Sequence, residues 1–371
     1  MKLNIAVLAG DGIGPEVIQQ ALKVLNAIAE KYDHTFLYQT ELVGGIAIDT
    51  YGDPLPEKTL EICKKADAVL FGAIGDPKFD NNPNSKIRPE QGLLKLRKEL
   101  DLFANIRPIT TYTPLIHKSN LKEKVIKGVD FIIYRELTGG IYFGEKTLSE
   151  DGNSATDTCT YTSAEIDRIT HMAFAAAKNR RKKLTLVDKA NVLETSRLWR
   201  KRVQEIKKLY PTVKLDFLYV DNAAMQLILN PKQFDVILTE NMFGDILSDE
   251  ASVISGSIGL LASASIGNKS ALFEPIHGSY RQAKGKNIAN PLAAVLSAAM
   301  LLDHFGLFYE AETIKNAVEK SIELNICTPD LNEINHFSTS SVGNFIRDFV
   351  LDNDNTFYNK HNIDLGQSTI I

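Results

Sequence analysis

The feature that most constrains this chain is an alternation. Short apolar runs at Leu3 to Ala9, Ala68 to Phe71, Phe131 to Tyr134, Leu184 to Val187 and Val236 to Leu238 read as buried strands. Between them lie stretches with helical spacing. Pro15 to Lys31 puts Val17, Ala21, Val24, Leu25 and Ile28 on one side, and Ala164 to Arg181 and Leu198 to Tyr210 follow the same pattern. Parallel strands need a crossover between them, so this order predicts an α/β fold with a largely parallel sheet. Ile141 to Thr162 departs from the pattern. It is rich in Gly, Ser, Thr and Asp, and reads as a protruding hairpin or arm that meets a partner subunit. The apolar stretch Ala289 to Leu302 is interrupted by Asn290, Pro291 and Ser297. It is too short to span a bilayer and reads as a buried helix.

A length of 371 residues allows two ordinary domains. The 44% hydrophobic and 24% charged content is that of a globular protein. A net charge of −4 leaves no footprint for nucleic acid or an anionic membrane. The one dense basic run, Arg180-Arg181-Lys182-Lys183, follows an alanine-rich helical stretch and complements a helix C-terminus. Three widely spaced cysteines form neither a disulfide framework nor a zinc pattern. With no signal-peptide pattern at Met1-Lys2-Leu3, the expectation is a cytoplasmic protein.

The chemistry is concentrated in a few motifs. Asn241-Met-Phe-Gly-Asp-Ile-Leu-Ser-Asp-Glu250 places Asp245 and Asp249 four residues apart. On a helix their Cβ atoms would be about 5–6 Å apart on one face. Taken alone, such a pair is more often a solvated acidic surface, but a hard divalent cation would turn its repulsion into a binding site. Gly10-Asp-Gly-Ile-Gly-Pro15 sits between a strand and a helix, yet the third glycine of a dinucleotide fingerprint would fall on Pro15. Proline is a helix-start residue, so the segment reads as a tight turn near a ligand, not a standard Rossmann fingerprint. Arg97 and Arg107 are ten residues apart, and Arg135 ends a strand. Three converging guanidinium forks would suit a small polycarboxylate.

Together these blocks resemble the metal-dependent β-decarboxylating dehydrogenases, the superfamily of isocitrate and isopropylmalate dehydrogenases. The match runs from Gly10-Asp-Gly-Ile-Gly-Pro-Glu16 through Val187-Asp-Lys-Ala-Asn-Val-Leu-Glu194, Tyr219-Val-Asp-Asn-Ala-Ala-Met-Gln226 and the acidic decapeptide. It continues into Leu272-Phe-Glu-Pro-Ile-His-Gly-Ser279 and Asn287-Ile-Ala-Asn-Pro291. The resemblance implies a two-domain isocitrate/isopropylmalate dehydrogenase-like α/β fold that is not a standard Rossmann fold. Residues 1–102 plus 256–371 would form the cofactor-binding domain. Residues 103–255 would form the dimerisation, substrate and metal domain, with its arm at about 141–162. It further implies that Arg97, Arg107 and Arg135 bind substrate carboxylates. Asp221, Asp245 and Asp249 would hold Mg²⁺ or Mn²⁺, with Asp221 supplied across a homodimer and also near the substrate. Lys189 would be the base for the substrate hydroxyl and Tyr142 the acid that protonates the enol carbon.

The segment before Arg97 carries specificity in such enzymes. Glu90, Leu93 and Leu94 suit a branched alkyl group and would repel a third carboxylate. That favours (2R,3S)-3-isopropylmalate, oxidised to 4-methyl-2-oxopentanoate and CO₂ on the route to leucine. D-malate or tartrate dehydrogenase is the alternative, and a non-catalytic regulatory subunit a distant one that would be expected to lack a metal ligand, the lysine or the tyrosine. The adenosine loop implied by the resemblance contains Glu274, His277, Gly278, Ser279, Gln282 and Asn290. Gln282 replaces the aspartate usual in NAD-specific members, and Arg281 precedes it; NAD is still the expected cofactor. Asp76 replaces a glycine frequent in the family.

Overall fold

A computed structural model describes residues 1–80 and 87–352. The polar segment after Asp352 lies outside the described residues. The chain divides into two compact units, Met1–Leu93 with the chain from Phe273 onward, and Leu94–Leu272.

In the first unit the strand order is Thr35–Thr40, Lys2–Gly10, Ala68–Ala73, Ala271–Pro275. Lys2–Gly10 pairs in parallel with both neighbours, Val7 lying opposite Thr40 on one side and Leu70 on the other. The chain therefore leaves the first strand for one side and returns on the other. The loops after Lys2–Gly10 and Ala68–Ala73 stand at this switch in strand order, the usual place for a ligand crevice in open α/β sheets. The helix Gly14–Tyr32 buries Val17, Ala21, Val24, Leu25 and Ile28, the face its spacing predicts. It packs on Leu292–His304 and Thr339–Leu351. Leu292–His304 is apolar almost all round and buried accordingly. Among the described residues no helix is long and apolar enough to cross a membrane.

In the second unit the order is Ala262–Ile266, Ala104–Thr110, Asp130–Glu136, Val236–Thr239, Lys183–Asp188, Lys214–Tyr219. Parallel pairing dominates from Asp130–Glu136 to Lys214–Tyr219. Ala104–Thr110 breaks it, running antiparallel to both neighbours. Periodicity gave no sign of this strand because Arg107 and Pro108 interrupt its apolar residues. Helices Ser163–Asn179 and Glu194–Lys207 cover one face, with Phe174, Trp199, Leu184, Leu186, Val236 and Leu238 in the core between. The first helix begins at a reciprocal cap, in which Thr162 and Glu165 satisfy each other's backbone N–H. The second begins four residues before the expected Leu198 and ends at Lys207, before Tyr210.

The expected arm is a two-stranded antiparallel hairpin, Lys146–Leu148 with Ala155–Asp157, exposed along both strands. The basic run is spent internally. Arg180 caps the helix end and pairs with Asp130 and Asp235, while Lys183 pairs with Asp216 at 3.2 Å.

Candidate functional site

In the second unit, Arg135 lies near the end of its strand and the acidic decapeptide follows the parallel strand beside it, while Lys189 and Asp221 follow another adjacent parallel pair. The decapeptide is helical within Asn241–Ser255, so Asp245 and Asp249 lie one turn apart on one face. Arg107 bridges them, with guanidinium nitrogens 3.7 Å from Asp245 Oδ1 and 3.3 Å from Asp249 Oδ1. Arg135 pairs with Asp245, and the Tyr142 hydroxyl donates to Asp245 Oδ2 at 3.0 Å. The three-way meeting at Asp245 joins elements more than 100 residues apart in sequence.

Arg107 and Arg135 are buried, and buried guanidinium groups need fixed partners. Arg135 Nε and Nη2 both donate to Asn241 Oδ1, at 3.0 and 2.8 Å, and Asn241 Nδ2 donates onward to the Gly139 carbonyl. Arg107 Nε donates to Asn105 Oδ1 at 2.7 Å and Nη1 to Ser248 Oγ. Burial, with Arg107 and Arg97 nearby, pushes Arg135 down to about 10, so it remains a cation at neutral pH. Arg107 and Arg97 both disfavour the charge on Arg135, and Asp245 only partly offsets them. An incoming polycarboxylate would offset the rest. Burial and Asp245 together raise the Tyr142 hydroxyl above its usual value, keeping it a proton donor.

Gly244 permits this packing. A Cβ there would stand 2.6 Å from Arg135 Cγ, too close for any side chain. Asn241, Asn105 and Ser248 were not singled out from the sequence; Asn241 and Ser248 had a signal, as members of the decapeptide. Glu240 caps the same helix through the Phe243 N–H and accepts from the Tyr161 hydroxyl. Burial pushes its carboxyl above the usual range.

Lys189 and Asp221 find each other. They leave the ends of the paired strands Lys183–Asp188 and Lys214–Tyr219, and the lysine amine donates to Asp221 Oδ1. That contact lowers the Asp221 carboxyl below its usual range. Among the described residues of one chain, no three His, Cys, Asp or Glu side chains are grouped to hold a metal ion. The donor chemistry nevertheless fits a hard cation: Asp245 and Asp249 are carboxylates on one face, with 35% and 66% of their side chains exposed.

Glu90, Leu93, Leu94 and Arg97 follow at i, i+3, i+4 and i+7 along the helix Pro89–Glu99, which the division between the units crosses. Leu94 is 37% exposed and Glu90 is exposed, and the spacing puts Glu90, Leu93, Leu94 and Arg97 on one face.

The first unit holds a different kind of site. Gly12 has φ +57°, and a Cβ there would lie 1.9 Å from the Ser279 carbonyl, which accepts from the Ile13 N–H at 2.9 Å. Asp11 accepts from the backbone N–H groups of Gly45, Ile46 and Gly75 at 2.8, 3.0 and 3.0 Å. His277 is buried, which lowers its pKa; Nδ1 donates to the Gly278 carbonyl, and Nε2 has no partner among the described residues. A neutral ring with an unengaged acceptor fits a ligand N–H. Beside it Gly278 faces open space. Gln282 is exposed and Ser279 half-buried. Glu274 is buried in its strand, and Asn290 is occupied by Asp330 and the Leu292 N–H.

Comparison with known proteins agrees in extent as well as kind. Residues 4–346 match the family described as isocitrate/isopropylmalate dehydrogenase. The chain is 55% identical over 352 residues to a 3-isopropylmalate dehydrogenase of Bacteroides fragilis strain YCH46, covering 94% of this chain and 99% of that one. It is 56% identical over 342 residues to the Priestia megaterium enzyme of the same name, covering 91% and 92%. Among solved structures, an isocitrate dehydrogenase from Methylococcus capsulatus superimposes with a TM-score of 0.85 at 34% identity, covering 94% and 100%. A β-decarboxylating dehydrogenase from Thermococcus kodakarensis, in its apo form, gives 0.77 at 37% identity, covering 94% and 96%.

Proposed function

This chain belongs to the isocitrate/isopropylmalate dehydrogenase family, and from that premise we propose how its residues carry out a β-decarboxylating oxidation in leucine biosynthesis. The substrate is (2R,3S)-3-isopropylmalate and the product 4-methyl-2-oxopentanoate. The single observation that carries the reading is the meeting of Arg107, Arg135 and Tyr142 on Asp245, with Asp249 one turn away.

Arg97, Arg107 and Arg135 bind and orient the two substrate carboxylates, and the arginines' mutual repulsion is relieved when they arrive. Asp245 and Asp249, with Asp221 of the partner subunit, hold a divalent cation, Mg²⁺ or Mn²⁺. Lys189, which pairs with Asp221 within each chain and would reach the site together with it across the dimer, takes the hydroxyl proton. When bound, NAD would supply the hydride acceptor and the divalent cation a Lewis acid beside the substrate hydroxyl. Tyr142 delivers its proton to the enol carbon; its raised pKa keeps that proton in place until then. Leu93 and Leu94 take the isopropyl group, and Glu90 excludes a third carboxylate. The first unit binds NAD through Glu274, His277, Gly278, Ser279, Gln282 and Asn290, with His277 Nε2 as acceptor and Asn290 acting as a brace.

A homodimer follows from the same reading. Tyr219, Met225 and Leu229 beside Asp221, and Ile246 and Val253 beside Asp245, are exposed apolar side chains on the elements that carry the metal ligands. Covering them with a second copy would bury apolar surface and bring Asp221 of one chain to Asp245 of the other.

The test is reduced-nicotinamide formation with Mn²⁺, crossing isopropylmalate, D-malate and isocitrate against NAD and NADP. Isopropylmalate with NAD should be fastest. A faster rate with D-malate would reassign the substrate.

A further inference from the structure

The loop after Ala68–Ala73 reaches the nucleotide loop through one ion pair. The Asp76 carboxylate, with 7% of its side chain exposed, is paired with the Arg281 guanidinium, immediately before Gln282. Asp76 Oδ1 also accepts from the Lys78 backbone N–H at 3.1 Å, at the start of the short helix Pro77–Asp80. The Lys78 ammonium is 3.7 Å from Asp76 but is committed to Asp49. Tyr280 next to Arg281 has φ +36°, a left-handed conformation that an L side chain adopts only when its surroundings impose it. The Ser279 carbonyl bond to Ile13 and the Tyr280 carbonyl bond to the Ala283 N–H hold it there.

We infer that Asp76 is a specificity-determining residue for the cofactor: by holding Arg281 it withholds that guanidinium from a ribose 2′-phosphate, and so favours the dinucleotide with a free 2′-hydroxyl. The inference rests on reading the first unit as the nicotinamide-dinucleotide site. A 2′-phosphate dianion beside a neutral ion pair gains little net attraction. Recruiting Arg281 would strand a buried carboxylate, which is costly. A ribose hydroxyl needs only a neutral donor and acceptor, which the exposed Gln282 amide supplies. Asp76 acts through Arg281 and is a positioning residue, not a cofactor contact.

Asp76→Asn keeps an oxygen for the Lys78 N–H and removes the charge; Asp76→Ser makes the same prediction from a smaller side chain. The full chain, these two variants, Arg281→Ala and Asp76→Asn/Arg281→Ala are titrated calorimetrically with 5′-AMP and adenosine 2′,5′-bisphosphate at one ionic strength. The affinity ratio should move toward the bisphosphate by about tenfold in Asp76→Asn, the worth of one charge-assisted hydrogen bond. The move should vanish in the double variant. A loosened loop would weaken both nucleotides together and leave the ratio alone. An unmoved ratio in Asp76→Asn and Asp76→Ser, or a shift that survives loss of Arg281, overturns the inference while the cofactor reading stands. If the unaltered chain binds neither nucleotide, both fall. The kcat/KM ratio for NADP over NAD should rise in the same variants.

Discussion

The two units hold their sites by opposite means. In the second, charged side chains converge from regular elements, and each is fixed by another side chain: Arg135 by Asn241 and Asp245, Arg107 by Asn105, Ser248 and the two aspartates. In the first, loops are stitched by backbone groups, with Asp11 gathering three amides and the Ser279 carbonyl meeting Ile13. A site made of side chains concentrates its chemistry in few residues, so single substitutions there should abolish turnover. A site made of backbone contacts spreads its function over the fold, so substitutions there should first appear as lost stability.

The largest expected effect belongs to the first kind. Lys189→Met should lower kcat by about a thousandfold, the range for a lost acid–base group, while nucleotide binding is retained. Nucleotide binding lost in parallel, by calorimetry, would mean that Lys189 supports the fold more than the chemistry and would blur the contrast.

Asp11→Ala probes the other side. Three backbone amides, one of them fully buried, lose a charged acceptor, so urea unfolding should show a loss of about 2 kcal/mol. Weaker AMP binding should accompany it. Full stability with abolished turnover would contradict the distinction between the units.

Leu93→Ala should be milder. Removing methylenes from an apolar pocket should cut the preference for isopropylmalate over D-malate by about tenfold, read from kcat/KM. Unchanged discrimination would remove Leu93 from the pocket.

The smallest effect is a pH dependence. Burial lowers the His277 pKa below its ordinary 6.5, so the ring stays neutral and Nε2 stays an acceptor as pH falls through that value. AMP affinity should be flat between pH 8 and about 6.5 and decline only below it. A decline centred on pH 6.5 would show an unperturbed histidine.

Much of the cluster around Asp245 was legible from residue order. Asp245 and Asp249 sit where an i, i+4 pattern must place them once Asn241–Ser255 is helical, and the flanking Phe243 and Leu247 are buried as the amphipathic pattern requires. Arg135 ends a strand whose apolar run marks it as buried. The pairing of Asn105 and Ser248 with Arg107 was not legible, because Arg107 comes from a strand that Pro108 and the arginine itself disguise. Likewise the basic run Arg180 to Lys183 stands at the helix C-terminus its position implies, but nothing local shows that Asp130, Asp216 and Asp235 take up its charge from other segments.

What the sequence by itself determined was everything that depends on local periodicity and residue chemistry: the alternating α/β architecture, the acidic helix face, the failed dinucleotide fingerprint at Pro15, and the exposed hairpin near residues 146–157. Tertiary structure alone decided which charges meet. The antiparallel insertion of Ala104–Thr110 brings Arg107 to Asp245, and a loop contact across some 200 residues of chain sets Asp76 against Arg281. Local sequence fixes which face of an element a side chain occupies. Its partner depends on long-range pairing, and a buried charge is tolerable only where that pairing supplies its opposite.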